Sequence, residues 1–488
     1  MNNLKLRWSQ ALECFRGCSF ADKCTMVSYV LVCLFLFDCS VFGGGHYLSV
    51  GPLTPRILIG FLAAVLALPK LLKNWKTYLK KPVIWTTAAF AVYLGICLVR
   101  GIQAGNRTNV IVSDIKGFMW LFLVPVLLVA VNSRKRFDRL LDVVLVGGLV
   151  QSLIVFAVNI YCTVVYHGVN DLHDPVKIIQ LGTVSIISGN IYRIFMRSVP
   201  YLVAASAIAI FKQAQQKKLC FRYVCCIAVY LNALLLSFTR SVYGCAAVVA
   251  VCSVILLFVF YRKNWKQHLK FLGAAAGLTV ALVFVLEFAF SASYFNFALS
   301  RTLGIEPRTS VAVSLRVSVD QLLDKYDISD TLDREDDFDP SEELEQQQGY
   351  LDITEKSDAL RAKTVSELKA LIRRNPIFGN GLGASAPSRE DGLDEYFYLD
   401  VLARMGVVGL ILYILPFGYV LWVCLRNRAM LFRHPDACAV LCGMVGFWVI
   451  TWFNPWMNAV LGIAWYAVST VIPELLKSDA DSEREVSL

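Results

Sequence analysis

Apolar runs of about 17 residues or more recur along this chain, each long enough to cross the roughly 30 Å hydrocarbon core of a bilayer as a helix. About twelve can be read: 25–42, 55–70, 83–99, 117–131, 140–165, 194–211, 221–238, 242–261, 271–290, 403–425, 437–453 and 457–475. Unpaired backbone polar groups are costly in lipid, so segments this apolar must be helices or strands of a closed barrel. The runs lack the alternation of barrel strands, which leaves helices. With 57% hydrophobic residues, 17% charged residues and a mean hydropathy of +0.57, the chain lies outside the range of soluble domains. The expected fold is an all-α polytopic membrane protein, with the lipid bilayer as its partner along most of its length.

Charge orients the spans. Lysine and arginine cluster in alternate loops, for example Lys70, Lys73, Lys76, Lys80 and Lys81, then Arg134, Lys135, Arg136 and Arg139. Lys212, Lys217, Lys218 and Arg222, then Arg262, Lys263, Lys266 and Lys270, and finally Arg426, Arg428 and Arg433 continue the pattern. The positive-inside rule puts all these loops in the cytoplasm. Both termini then lie inside, and the one long hydrophilic stretch lies outside. The expected organisation is nine spans over 1–290, an extracytoplasmic loop over 291–398, three spans over 399–476 and a cytoplasmic tail over 477–488. The net charge of +10 is thus a topogenic signal, and no nucleic-acid partner is expected. The first run, near Thr25, lacks a small-residue cleavage site and reads as a signal anchor. Of the 15 cysteines none falls between Cys252 and Cys424, so the loop has no disulfide framework. No Cys/His spacing resembles a zinc site, and neither metal nor cofactor is expected.

The loop divides by composition. Its stretch 320–348 is dense in Asp and Glu, ends in Gln346-Gln347-Gln348 and reads as a solvated insertion. It lacks the spacing and glycine of an EF-hand calcium loop. Before it, Val311, Val313, Leu315, Val317 and Val319 alternate with Ala312, Ser314, Arg316 and Ser318, a pattern that fits a strand or a membrane-hugging helix. Residues 355–374 carry Leu360, Val365, Leu368, Leu371 and Ile372 at helical spacing, and Asn375-Pro376 should stop that helix. Gly379-Asn380-Gly381-Leu382-Gly383 follows as a turn; with no Gly-Lys-Ser/Thr after it, it is not a P-loop.

Two arginines stand out. Arg240 closes the short hairpin Ser237-Phe238-Thr239-Arg240-Ser241 between two spans, where a guanidinium is costly unless paired or snorkelling. Arg361 lies on the loop helix. Guanidinium is the side chain best suited to hold a phosphate, because its planar fork donates bidentate hydrogen bonds.

Three segments together resemble the O-antigen ligase/polymerase superfamily of bacterial membrane glycosyltransferases. They are Ser237 to Ser241 with Gly244-Cys245-Ala246-Ala247, then Arg361 through Asn375-Pro376-Ile377-Phe378-Gly379 to Gly383, and Tyr398-Leu399 with Gly406-Val407-Val408-Gly409. Their order, spacing and topology carry the resemblance. It implies a GT-C-like transferase in the bacterial inner membrane, with a polyprenyl-diphosphate-linked oligosaccharide as donor and a glycan as acceptor. A flippase and a chain-length regulator are its implied partners. Arg240 and Arg361 match the family arginines that hold the donor diphosphate; Gly379, Gly381, Gly383 and Tyr398 match positions lining the substrate. Where ligases carry a His-Asn pair three residues before Tyr-Leu, this chain has Glu395-Tyr396. Glu395 is then the candidate general base, with Asp394 or Asp391 as alternatives, or Glu395 only orients the acceptor. The missing histidine favours a polysaccharide polymerase over transfer of finished glycan by a ligase. A flippase is the reading from another class, with Asp38, Asn159, Asn232 and Glu287 as candidates for its path.

Overall fold

A segment in lipid must satisfy its own backbone, and the computed structural model meets that demand almost entirely with helices. It describes residues 17–43, 54–166, 181–188, 191–303, 311, 313–316, 359–389 and 395–477. The acidic insertion 320–348, Asp391, Asp394 and the tail 478–488 lie outside the described residues.

The main elements are α1 (Phe20–Val41), α2 (Pro55–Lys73), α3 (Pro82–Gln103), α4 (Thr108–Phe118), α5 (Leu123–Ala130) and α6 (Arg134–Ile160). Strands β1 (Gly182–Ser188) and β2 (Ile191–Met196) follow, then α7 (Val199–Ala214), α8 (Phe221–Leu235), α9 (Arg240–Phe260), α10 (Trp265–Phe290) and α11 (Tyr294–Leu303). After them come α12 (359–374), α13 (Phe397–Arg426), α14 (Pro435–Ile450) and α15 (Val460–Ser469). Among the described residues, nine helical stretches are long and apolar enough to cross a membrane, with α4 and α5 joined into one. The shorter apolar helices α7, α8 and α14 occupy three further predicted runs. The chain is therefore a helical, polytopic membrane protein.

Helix α7 is the central pillar: every one of its residues is buried, against α6, α8, α9 and α14. Its Tyr201 hydroxyl donates to the Leu461 carbonyl of α15 at 2.9 Å. The outer helices behave oppositely. Val280 of α10 is 68% exposed, apolar surface suited to lipid contact.

The basic loops contact one another. Lys70 pairs with Asp22 at 2.6 Å, Lys81 with Glu474 at 2.7 Å, and Lys212 with Asp142 at 2.8 Å and with Asp138. Gln215 donates to Asp436 at 2.9 Å and Arg134 to the Arg433 carbonyl at 3.4 Å. These links tie the starts of α1, α6 and α14 to the ends of α2 and α7.

One element departs from the all-helical expectation. Residues 194–211 read as a single span, but Ile194 to Met196 belong to a two-stranded antiparallel sheet, with Gly182 opposite Met196. The Ile194 N–H donates to the Leu236 carbonyl at 2.9 Å, so the hairpin buttresses the turn after α8. The open pattern at 311–319 is helical where described, at 311 and 313–316. Its Arg316 donates to the Phe288 carbonyl of α10 at 2.9 Å.

Candidate functional site

Helix α13 contains a break at Gly406, whose φ of 66° and ψ of −171° no helix admits. A break strands carbonyls on one side and N–H groups on the other, and in an apolar setting each must find a partner. Residues 376–383 supply them. Val407 and Val408 N–H groups donate to the Pro376 and Ile377 carbonyls at 2.9 and 3.1 Å. In return, Asn380 and Gly381 N–H groups donate to the Ala403 and Arg404 carbonyls, both at 2.9 Å. The end of α3 grips the same loop. Arg100 donates to the Phe378 and Gly379 carbonyls at 2.8 Å each, and the Tyr93 hydroxyl reaches the Met405 carbonyl at 2.8 Å. The Leu382 N–H donates to the Cys97 carbonyl at 2.9 Å.

This is where the structure puts the three glycines. Gly379 packs on the Arg404–Gly406 backbone, Gly381 on Arg100 and Gly101, and Gly383 beside Ile111 and Arg107. Close backbone approach is their visible task, and Gly383 also lines a cleft. At Gly381, φ is +86° and a Cβ would overlap the Arg100–Gly101 backbone. Gly381→Ala is expected to cost about 1–3 kcal/mol from the dihedral alone, with the overlap in addition. A lowered unfolding temperature of the detergent-solubilised protein checks it.

Under the loop lies a buried ion cluster. Arg404 pairs with Asp114 of α4 and, at 2.7 Å, with Asp400; the side chains are at most 4% exposed. Arg404 Nε donates to the Ala384 carbonyl at 3.0 Å, and Asp114 accepts the Gly383 N–H at 2.8 Å.

Above it lies the candidate catalytic group. Helix α12 docks on 384–389 partly through Glu367, which accepts the Ser388 N–H at 2.8 Å. The Ser388 hydroxyl and then its N–H hold this carboxyl below the usual carboxylate range. That docking brings Arg361 to Glu395 at 2.7 Å, and Arg389 to the other oxygen of Glu395 at 2.8 Å. Arg361 is 44% exposed at its side chain, Arg389 17% and Glu395 29%. Both Glu395 oxygens are thus engaged by guanidinium groups.

Three residues on, the Tyr398 hydroxyl donates to the Trp448 carbonyl at 2.8 Å, and its ring lies 4.9 Å from that of Trp452. The Arg240 turn meets the same stretch, since Asn454 donates to the Ser241 hydroxyl at 3.2 Å. Arg240 itself is exposed at the start of α9. Its turn is fixed by Phe238, buried at a φ of 42° and edge-on to Phe297 at 5.5 Å. Non-glycine residues hold such backbone only where surroundings enforce it, and such positions gather at functional sites. Arg361 and Glu395 are therefore in direct contact, and Tyr398 and Ser241, the residue after Arg240, are each hydrogen-bonded to the 448–454 stretch.

Each of the four polar groups proposed for a transport path is engaged, Asn159 and Glu287 both at the start of α11. Asp38 pairs with Arg56 at 2.5 Å, Asn159 donates to the Tyr294 hydroxyl at 3.2 Å, and Asn232 donates to the Ala228 carbonyl at 2.8 Å. Glu287 accepts the Phe295 N–H at 2.7 Å. Among the described residues no group of three or more His, Cys, Asp or Glu is placed to hold a metal ion.

Sequence reasoning missed Arg389 and Arg404. Arg404 had a local cue, the i,i+4 spacing from Asp400; Arg389, in an irregular segment, had none. Compared with known proteins, the chain matches no family model and no curated sequence.

Proposed function

We propose that this protein is a glycosyltransferase of the bacterial inner membrane that polymerises glycan repeat units carried on polyprenyl diphosphate, within the O-antigen ligase/polymerase superfamily. In this reading all twelve apolar helices span, both termini are cytoplasmic and 291–398 faces outward. The mutual contacts of the basic loops support that topology.

The observation that carries the reading is Glu395 held between Arg361 and Arg389. A donor diphosphate competes with Glu395 for the two guanidinium groups, since phosphate oxygens accept the same bidentate bonds. The carboxylate so released takes the proton of the acceptor hydroxyl. That oxygen bonds to the anomeric carbon as the carbon–phosphate oxygen bond breaks, and the electron pair leaves with the diphosphate. Arg361, Arg389 and Arg240 stabilise the charge as it develops. Glu395 in place of the ligase histidine favours polymerase over ligase. The ion pair and hydrogen bonds that already engage Asp38, Asn159, Asn232 and Glu287 weigh against a transport path.

Reconstitution tests this. In liposomes given a polyprenyl-diphosphate-linked oligosaccharide, the protein is expected to release polyprenyl diphosphate and build a glycan ladder. Glu395→Gln should slow the ladder by about 10²-fold or more. Donor that stays intact with the native protein rules the transferase out, and one transfer to a lipid acceptor without a ladder replaces polymerase by ligase.

A further inference from the structure

A cleft lies not at the Arg361–Glu395 group but beside it. It measures about 830 Å³ and is bounded by the ends of α3 and α12, the 104–107 turn and the 380–387 segment. That volume falls in the range of about 300–1,000 Å³ typical of small-molecule sites. Three arginines line it, Arg100, Arg107 and Arg374, with Gln103, Asn106 and Asn375 among the other polar walls and no carboxylate among the described residues.

Two features make this more than a basic surface. Arg100 spends its donors on the carbonyls of Phe378 and Gly379, at 2.8 Å each, which fixes the side chain without cancelling its charge. Arg107 is held by the Ser385 hydroxyl at 2.8 Å and the Arg389 carbonyl at 3.0 Å. Charges held in place before a ligand arrives spare it the cost of ordering them. Arg374, exposed in the last turn of α12, adds a third.

Arg389 links the two places: its carbonyl serves Arg107 and its guanidinium serves Glu395. The cleft is polar on most sides, whereas a polyprenyl tail needs an apolar groove. We infer that it is a subsite for an acid-bearing saccharide, one whose sugars carry carboxylates, lying beside the diphosphate site and guiding the glycan toward it. The identification of the ligand as a saccharide rests on the transferase reading; the demand for an anion rests on the arginines.

Binding to the full-length protein in phosphatidylcholine nanodiscs tests this, with trigalacturonate, maltotriose and inorganic pyrophosphate as probes. Trigalacturonate is expected to bind in a salt-sensitive way, and maltotriose at least about tenfold more weakly. Arg374→Gln, at an exposed position, should weaken trigalacturonate about 5- to 10-fold and leave pyrophosphate unchanged, with Arg374→Lys recovering part of the loss. Absent trigalacturonate binding, equal binding of maltotriose, or no effect of Arg374→Gln overturns the subsite. Full competition between trigalacturonate and pyrophosphate also overturns it, by making the cleft the diphosphate site itself. The readout is binding alone, so an inactive reconstituted protein would sink the transferase reading, while trigalacturonate binding and its response to Arg374→Gln still decide whether the cleft takes a carboxylate-bearing saccharide.

Discussion

Arg361→Ala is expected to abolish long-chain glycan while the protein still inserts and folds. The side chain is 44% exposed, and its 2.7 Å bond to Glu395 is a surface ion pair, worth about 0–1 kcal/mol to stability. Its worth to the reaction is larger. Removing one donor that stabilises developing charge costs about 10²–10³ in rate, or 2.7–4 kcal/mol. Under the same proposal Arg240→Ala should behave alike, and Arg361→Lys should keep the charge but lose the bidentate fork. Glycan ladders read beside unfolding temperatures separate the two effects. Ladders of normal length in both alanine variants would leave the transferase proposal without support.

Arg404→Ala is expected to do the reverse, removing the protein rather than its chemistry. Asp114 and Asp400 are nearly inaccessible to solvent, and losing Arg404 leaves two buried carboxylates facing each other. Breaking a buried pair in this way costs about 3–5 kcal/mol, and the bond to the Ala384 carbonyl goes too. Gel filtration of the detergent extract should show little folded protein. Wild-type yield and unfolding temperature would mean that the cluster does not anchor the loop.

The positions of the helices were legible because lipid leaves the backbone one answer. The runs at 25–42, 83–99 and 403–425 fall within helices α1, α3 and α13 to within a residue. The stop at Asn375-Pro376 is where α12 ends. The sheet had a signal that went unused: Ser188-Gly189-Asn190-Ile191 sits between alternating apolar residues, the mark of a tight hairpin. Hydropathy alone drew Ile194 to Met196 into the next span. The break at Gly406 had no local sign, since Gly-Val-Val-Gly inside an apolar run reads as helix. It is set by bonds from a segment about thirty residues earlier, as at Val407 and Pro376. The candidate site was legible in part for the same reason. Arg240 was singled out by its hairpin, Arg361 and Glu395 by the loop helix and the resemblance, and of these the Arg361–Glu395 contact is seen; Arg404's bond to Asp114 spans 290 positions, too far apart in sequence for a local pattern to mark it.

The joint at Gly406 also sets an order for biogenesis. Arg100 and Phe378 are 278 positions apart, and Tyr93 and Met405 are 312 apart. At about 5–20 residues per second, roughly 15–60 s of synthesis separates the two halves. Through that interval the C-terminal half of α3 carries Tyr93 and Arg100 with their partners at 378–405 not yet made. The two complementary surfaces therefore stay apart during synthesis, and the joint closes only when the tenth decade of residues meets the thirty-eighth and the forty-first.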